Sequence, residues 1–141
     1  MRPVWHILAS FILGLVIFYF SKSLFAGFLV LLSGVFIDLD HLMDFWASAP
    51  ENAFSIKQFY HMDKHLESKG DHYTFILLHS WEIIIVLTIL VFSYYNIYLA
   101  SIVLGVLVHL IMDTFNLKKT DHPFTYFLLF RVFKKFKLKD V

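Results

Sequence analysis

Three short stretches of the chain carry side chains that hold cations or move protons. They are Asp38-Leu39-Asp40-His41, His79-Ser80-Trp81-Glu82 and the pair His109 and Asp113. Residues three or four apart lie one above the other on a helix. A helical reading therefore pairs His79 with Glu82, His109 with Asp113, and Asp40 with Asp44. Oxygen and imidazole ligands without sulfur suit zinc or manganese, and iron as a third choice, and several carboxylates allow more than one ion to share a site. Ions held in this way acidify water and clamp phosphoryl oxygens, the chemistry of metal-dependent phosphoester hydrolysis. The candidate metal ligands are Asp38, Asp40, His41, His79, His109 and Asp113, joined by His72, which sits seven residues before His79 and so near the same helix face. Glu82 is a further ligand or the general base acting on water. His61 and His65 have ligand spacing too, but in a charge-rich stretch.

The elements that must position these groups are apolar helices. The chain has 141 residues, of which 59% are hydrophobic and 19% aromatic, with a mean hydropathy of +0.70. A soluble domain has about 45–50% apolar residues. So small a chain cannot bury such an excess in one aqueous core, and lipid is its natural solvent. We read the apolar runs as four spans, at about residues 4–20, 24–41, 73–95 and 97–115. Ser21-Lys22-Ser23 makes a tight turn between the first two, and Tyr94-Tyr95-Asn96 marks an interface between the last two. Ala47 to Asp71 is polar with an amphipathic segment from Phe54 to Leu66, and the tail 116–141 mixes lysine, arginine and aromatic residues as a helix lying on anionic lipid does. The expected architecture is an all-α polytopic membrane bundle forming one domain over 1–141, with four transmembrane helices and amphipathic cytoplasmic segments.

Lysine and arginine placement sets the orientation. With both termini cytoplasmic, Arg2, Lys57, Lys64, Lys69 and the basic residues from Lys118 onward are inside, and Lys22 is outside. The net charge of +1 hides this asymmetry. The same topology brings the end of the second span, the start of the third and the end of the fourth to one membrane face, where all three polar stretches fall. An ionisable group within a span costs about 2.5–3.5 kcal/mol on insertion scales, which makes such a convergence a functional site by default. The chain has no cysteine, so disulfides, thiolate zinc sites and cysteine nucleophiles are excluded. It also lacks a glycine-rich phosphate loop, a nucleophilic-serine elbow and the basic repeats of a nucleic-acid reader.

In order and spacing the motifs resemble those of the LexA-regulated, membrane-bound metal-dependent hydrolases of bacterial and archaeal inner membranes. That family carries Asp-x-Asp-His after an early span, His-Ser opening a later one, and Gly-x-x-x-His-Leu-x-x-Asp. The counterparts here are Asp38-Leu39-Asp40-His41, His79-Ser80, and Gly105-Val106-Leu107-Val108-His109-Leu110-Ile111-Met112-Asp113. The chain departs from the pattern at Ile37, where the family has proline, and in offering His72-Tyr73 instead of a His-Arg pair close before His-Ser. Glu82 lies outside the general motif. The resemblance implies a hydrolase of the inner membrane acting on a phosphoester of a lipid or other amphiphile, with membrane lipids as partners. Two other classes use the same residues: a metal or proton transporter, and a non-catalytic membrane protein whose polar cluster fixes helix register. A conduit requires polar residues through the outer halves of the spans, where Thr88 and Ser101 are the exceptions among apolar neighbours.

Overall fold

The computed structural model describes residues 3–40, 77–115 and 124–135, and all regular structure among them is helical. Helix α1 runs Pro3–Ser21, α2 Leu24–Phe36, α3 Trp81–Tyr94, α4 Ile97–Phe115 and α5 Leu128–Phe133, with a 3-10 turn at Ile37–Leu39 after α2. Pro3 opens α1 at the position where its missing N–H costs nothing. The α1–α2 turn is built from its own polar side chains. Ser21 donates its hydroxyl to the Ile17 carbonyl at 2.7 Å, Lys22 takes a left-handed φ of 54°, and the Ser23 hydroxyl accepts the Ala26 N–H to cap α2. At the α3–α4 turn Tyr95 is left-handed, φ 48°, and the Asn96 side-chain carbonyl caps α4 by accepting the N–H groups of Tyr98 and Leu99.

Helix α2 lies between α1 and α4, α3 packs on α4, and α1 also reaches α4. Small residues let the backbones close in. A Cβ on Gly14 would sit 2.7 Å from the Gly27 carbonyl oxygen, and one on Gly27 would sit 2.6 Å from that of Gly14, so α1 and α2 cross glycine on glycine. Farther along α2, Gly34 faces Ser10 of α1 and Gly105 of α4. Ala26, Val30, Ile37, Ile84, Val103 and Leu110 form the buried apolar core. The outer surfaces are apolar as well, with Phe11, Ile12 and Tyr19 on α1 and Ile85, Ile89 and Phe92 on α3 exposed. Water is a poor solvent for such a surface.

The two stretches Val4–Ser21 and Ile97–Phe115 are long and apolar enough to cross a membrane, by length and composition. Leu24–Leu39 and Trp81–Tyr94 are apolar but shorter. At 1.5 Å per residue a 14-residue α3 reaches about 21 Å, less than a hydrocarbon core of about 30 Å. The expected helix over 73–95 begins only at Trp81, and residues 77–79 form bends in front of it, with Ser80 extended. The cause lies in what the backbone bonds to: Leu78 donates its N–H to Asp40 and Trp81 donates to the Tyr126 carbonyl, partners that hold the chain extended at Ser80. His79 therefore precedes the helix and does not share a helical face with Glu82. The amphipathic segment Phe54 to Leu66 lies outside the described residues, and α5 is the part of the 116–141 tail that the structure describes as helix.

Replacing Gly27 by alanine forces α1 and α2 apart. We expect Gly27→Ala to lower stability by about 1–3 kcal/mol, measured as a fall in the thermal midpoint of helical circular dichroism in detergent.

Candidate metal centre

Because the helices run up and down, the start of α1, the end of α2, the segment before α3 and the end of α4 meet at one end of the bundle. Asp38 from the 3-10 turn, His79, and His109 and Asp113 from α4 offer ligand atoms that all lie within 4.8 Å of one another, a group that can hold a metal ion. The Nε2 atoms of His79 and His109 are 3.2 Å apart. Asp38 Oδ1 is 3.2 Å from His109 Nε2 and 3.5 Å from His79 Nε2, and Asp113 Oδ2 is 3.1 and 3.6 Å from the same atoms. His79 and His109 are fully buried, while the Asp38 side chain is 40% exposed. The group is thus closed on the bundle side and open at Asp38.

Each imidazole is turned by a contact at its other nitrogen. His109 Nδ1 lies 2.7 Å from the Gly34 carbonyl oxygen. A carbonyl only accepts, so Nδ1 carries the proton and the neutral ring presents an unprotonated Nε2 to the centre. His79 Nδ1 lies 2.9 Å from Asp40 Oδ1, and Asp40 is itself fixed by accepting the Leu78 N–H on Oδ2 at 2.9 Å. Asp40 is therefore 3% exposed and stands behind His79, outside the four-residue group. A carboxylate or carbonyl behind a ligating histidine is the usual way its tautomer and orientation are set. With both rings neutral, two ring lone pairs and two carboxylate oxygens at one spot repel each other, and either a proton on an imidazole or a bound cation relieves that. His79 lies outside the apolar helices. Burial alone would lower its imidazole pKa, yet hydrogen bonds with Asp38 and then Asp40 outweigh burial, and the net shift is upward.

The structure adds a residue that spacing alone did not single out. His6, one turn into α1, is 4% exposed, lies 3.1 Å through Nε2 from Asp113 Oδ1, and stacks on the His109 ring at 4.1 Å between centroids. The sequence signal was present: His6, Ser10 and Gly14 recur every four residues on one face of an otherwise apolar helix.

Glu82 does other work. Its carboxylate accepts the backbone N–H groups of Leu128 at 2.9 Å and Leu129 at 3.1 Å, so it caps the start of α5 and stands outside the four-residue group. Arg131 of α5 is fully buried and donates from a terminal guanidinium nitrogen to the His79 carbonyl at 3.2 Å. Of the other expected ligands, His41 and His72 lie outside the described residues, as do Asp44, His61 and His65.

No protein-family model, no curated protein and no solved structure matches the chain.

If Asp40 and His6 orient ligands, then Asp40→Ala and His6→Ala each weaken metal binding by about 10–100-fold without abolishing it. A competition titration against a chromogenic chelator measures this.

Proposed function

We propose that this chain is a membrane metalloprotein that holds one zinc ion at Asp38, His79, His109 and Asp113 and uses it to hydrolyse a phosphoester of a lipid or other amphiphile. The observation that carries the metal assignment is the spacing of the ligand atoms. Zinc bonds of about 2.0–2.2 Å put the corners of a tetrahedron ~3.3–3.6 Å apart. Five of the six edges run from 3.1 to 3.6 Å, and the sixth, between the Asp38 and Asp113 oxygens, is within 4.8 Å. An octahedral ion bound at about 2.1 Å asks for edges near ~3.0 Å, which makes manganese the second choice. The preset tautomer of His109 and the buried carboxylate behind His79 support the same assignment.

A bound divalent ion supplies Lewis-acid polarisation of a phosphoryl oxygen and lowers the pKa of water. The residues of the chain do the rest. His79 and His109 form the closed wall of the centre, and His6 holds the far oxygen of Asp113 so that the near one stays directed inward. The half-exposed Asp38 leaves one side of the centre open to solvent, and water would join a zinc ion held by all four residues as a fifth ligand on that side.

The hydrolase reading also draws on the resemblance of the Asp38-to-His41, His79-Ser80 and Gly105-to-Asp113 motifs to the membrane-bound metal-dependent hydrolases. We place the four apolar helices across the inner membrane, with both termini and the centre on the cytoplasmic side, because the basic residues collect there. A transport pathway finds less support. The hydroxyls of Thr88 and Ser101, deep in α3 and α4, donate to carbonyls of their own helices.

Elemental analysis of purified protein is expected to give about one zinc per chain. His109→Ala and Asp113→Asn are expected to lose both the metal and the turnover of phosphoester amphiphiles presented in detergent, with readdition of zinc restoring the wild type after chelation. Turnover that persists in the metal-free variants sinks the hydrolase, and wild-type protein without bound metal sinks the site.

A further inference from the structure

The segment 124–135 has two unlike sides. Its inner side grips the residues around His79. The Tyr126 carbonyl accepts the Trp81 N–H at 3.0 Å, Glu82 accepts from Leu128 and Leu129, Arg131 bonds the His79 carbonyl, and the Tyr126 ring lies roughly parallel to the His79 ring at 6.4 Å. These contacts fall on His79, Trp81 and Glu82, the first of them a proposed ligand. His79 is the ligand that no helix carries, so its position depends on what holds its loop.

The outer side is apolar and basic. Phe124, Leu129 and Val132 are more than half exposed, and Phe133 is 85% exposed, with Lys134 and Lys135 exposed immediately after it. Large apolar side chains turned outward beside lysines suit the boundary between acyl chains and headgroups, where the rings bury and the ammonium groups meet anionic phosphate. Lys137 and Lys139 continue the positive charge in the sequence. The partner this face fits is an anionic lipid surface, and its place beside the other apolar helices of the bundle puts that surface within reach.

We propose that residues 124–135 act as a clamp that seats on anionic lipid by its outer side and fixes His79 by its inner side, so that lipid charge tightens metal binding. The proposal rests on the metal reading above and adds regulation of that centre. Glu82 and Arg131 are then positioning residues, acting through the His79 loop. Binding linkage makes the coupling reciprocal: whatever the lipid contributes to the metal, the metal returns to seating of the clamp. Lys134 and Lys135 near an anionic surface favour the seated segment by up to about 30-fold, which sets the ceiling for the change in metal affinity.

The absence of native cysteine makes the test direct. Phe133→Cys, labelled with an environment-sensitive fluorophore, is placed in nanodiscs of phosphatidylcholine or of phosphatidylcholine with phosphatidylglycerol. On the anionic mixture the emission is expected to move to the blue, and unlabelled protein is expected to bind zinc ~3–10-fold more tightly than on phosphatidylcholine alone. Lys134→Glu with Lys135→Glu, at exposed positions away from the centre, removes both differences and leaves zinc affinity on phosphatidylcholine unchanged. Glu82→Ala weakens zinc binding by about 10–100-fold and erases the lipid dependence, while Glu82→Gln, which keeps one acceptor, restores part of both. Equal emission on the two lipids, or equal zinc affinity on both, overturns the clamp. Wild-type protein that binds no zinc on either lipid overturns the metal reading and the coupling with it, and the emission shift then separates that failure from a failure of the lipid face.

Discussion

Two imidazoles and two carboxylates converge on one spot in an apolar bundle, and most of the structure follows from that constraint. Two imidazole Nε2 atoms 3.2 Å apart, flanked by two carboxylate oxygens, form an arrangement that a folded chain keeps only with positive charge at its middle. Burial raises the stakes, because His79 and His109 are shut off from water and only Asp38 is screened by it. The polar contacts around the centre are therefore directional: Gly34 fixes one imidazole, Asp40 the other, and His6 one carboxylate. These partners pin orientation as much as they add energy.

Helix packing and the centre are two uses of the same atoms. Gly34 has no side chain, which lets α2 approach Ser10 of α1 and Gly105 of α4 without collision. That approach brings the Gly34 carbonyl to 2.7 Å from His109 Nδ1, one turn beyond Gly105 on α4. A larger residue at the crossing would push α4 away and withdraw the carbonyl that selects the His109 tautomer. The glycine in the Gly105-to-Asp113 motif is then explained by distance: it sets how far α4 stands from α2, and His109 and Asp113 inherit that distance.

What could be read from the sequence was whatever depends on period and composition. The apolar runs ending at Phe20 and Phe115 match helices closely, and His109 with Asp113 at i,i+4 falls on one face as helical spacing requires. Asp38, His79, His109 and Asp113 were legible as ionisable residues at one end of apolar runs. Partners distant in the chain were not legible. Glu82 reads as an acid in a span, but its role is set by the N–H groups of Leu128 and Leu129, forty-six and forty-seven residues away. The start of α3 was misplaced for the same reason, since the bonds that hold residues 78–81 extended go to Asp40 and Tyr126. His6 pairs with Asp113 on another helix, and nothing near His6 in the chain names that partner.

The ligands also differ in how they are held, and this asymmetry bears on how the centre works. His109 and Asp113 sit on a 19-residue helix packed against α2 and cannot move independently. His79 sits on a bend before α3, and backbone in a bend opens at lower cost than backbone in a packed helix. With His109 and Asp113 on a packed helix and Asp38 on the 3-10 turn that ends α2, His79 is the member of the group whose position a loop sets. The chain places its only described buried arginine, a carboxylate cap and an aromatic ring at that point, all belonging to or engaging the C-terminal segment. Were His79 carried within α3, as helical spacing suggested, those contacts would have nothing to control. Its displacement from the helix is what lets His79 and Trp81 bond to the C-terminal segment, whose other side is the outer surface.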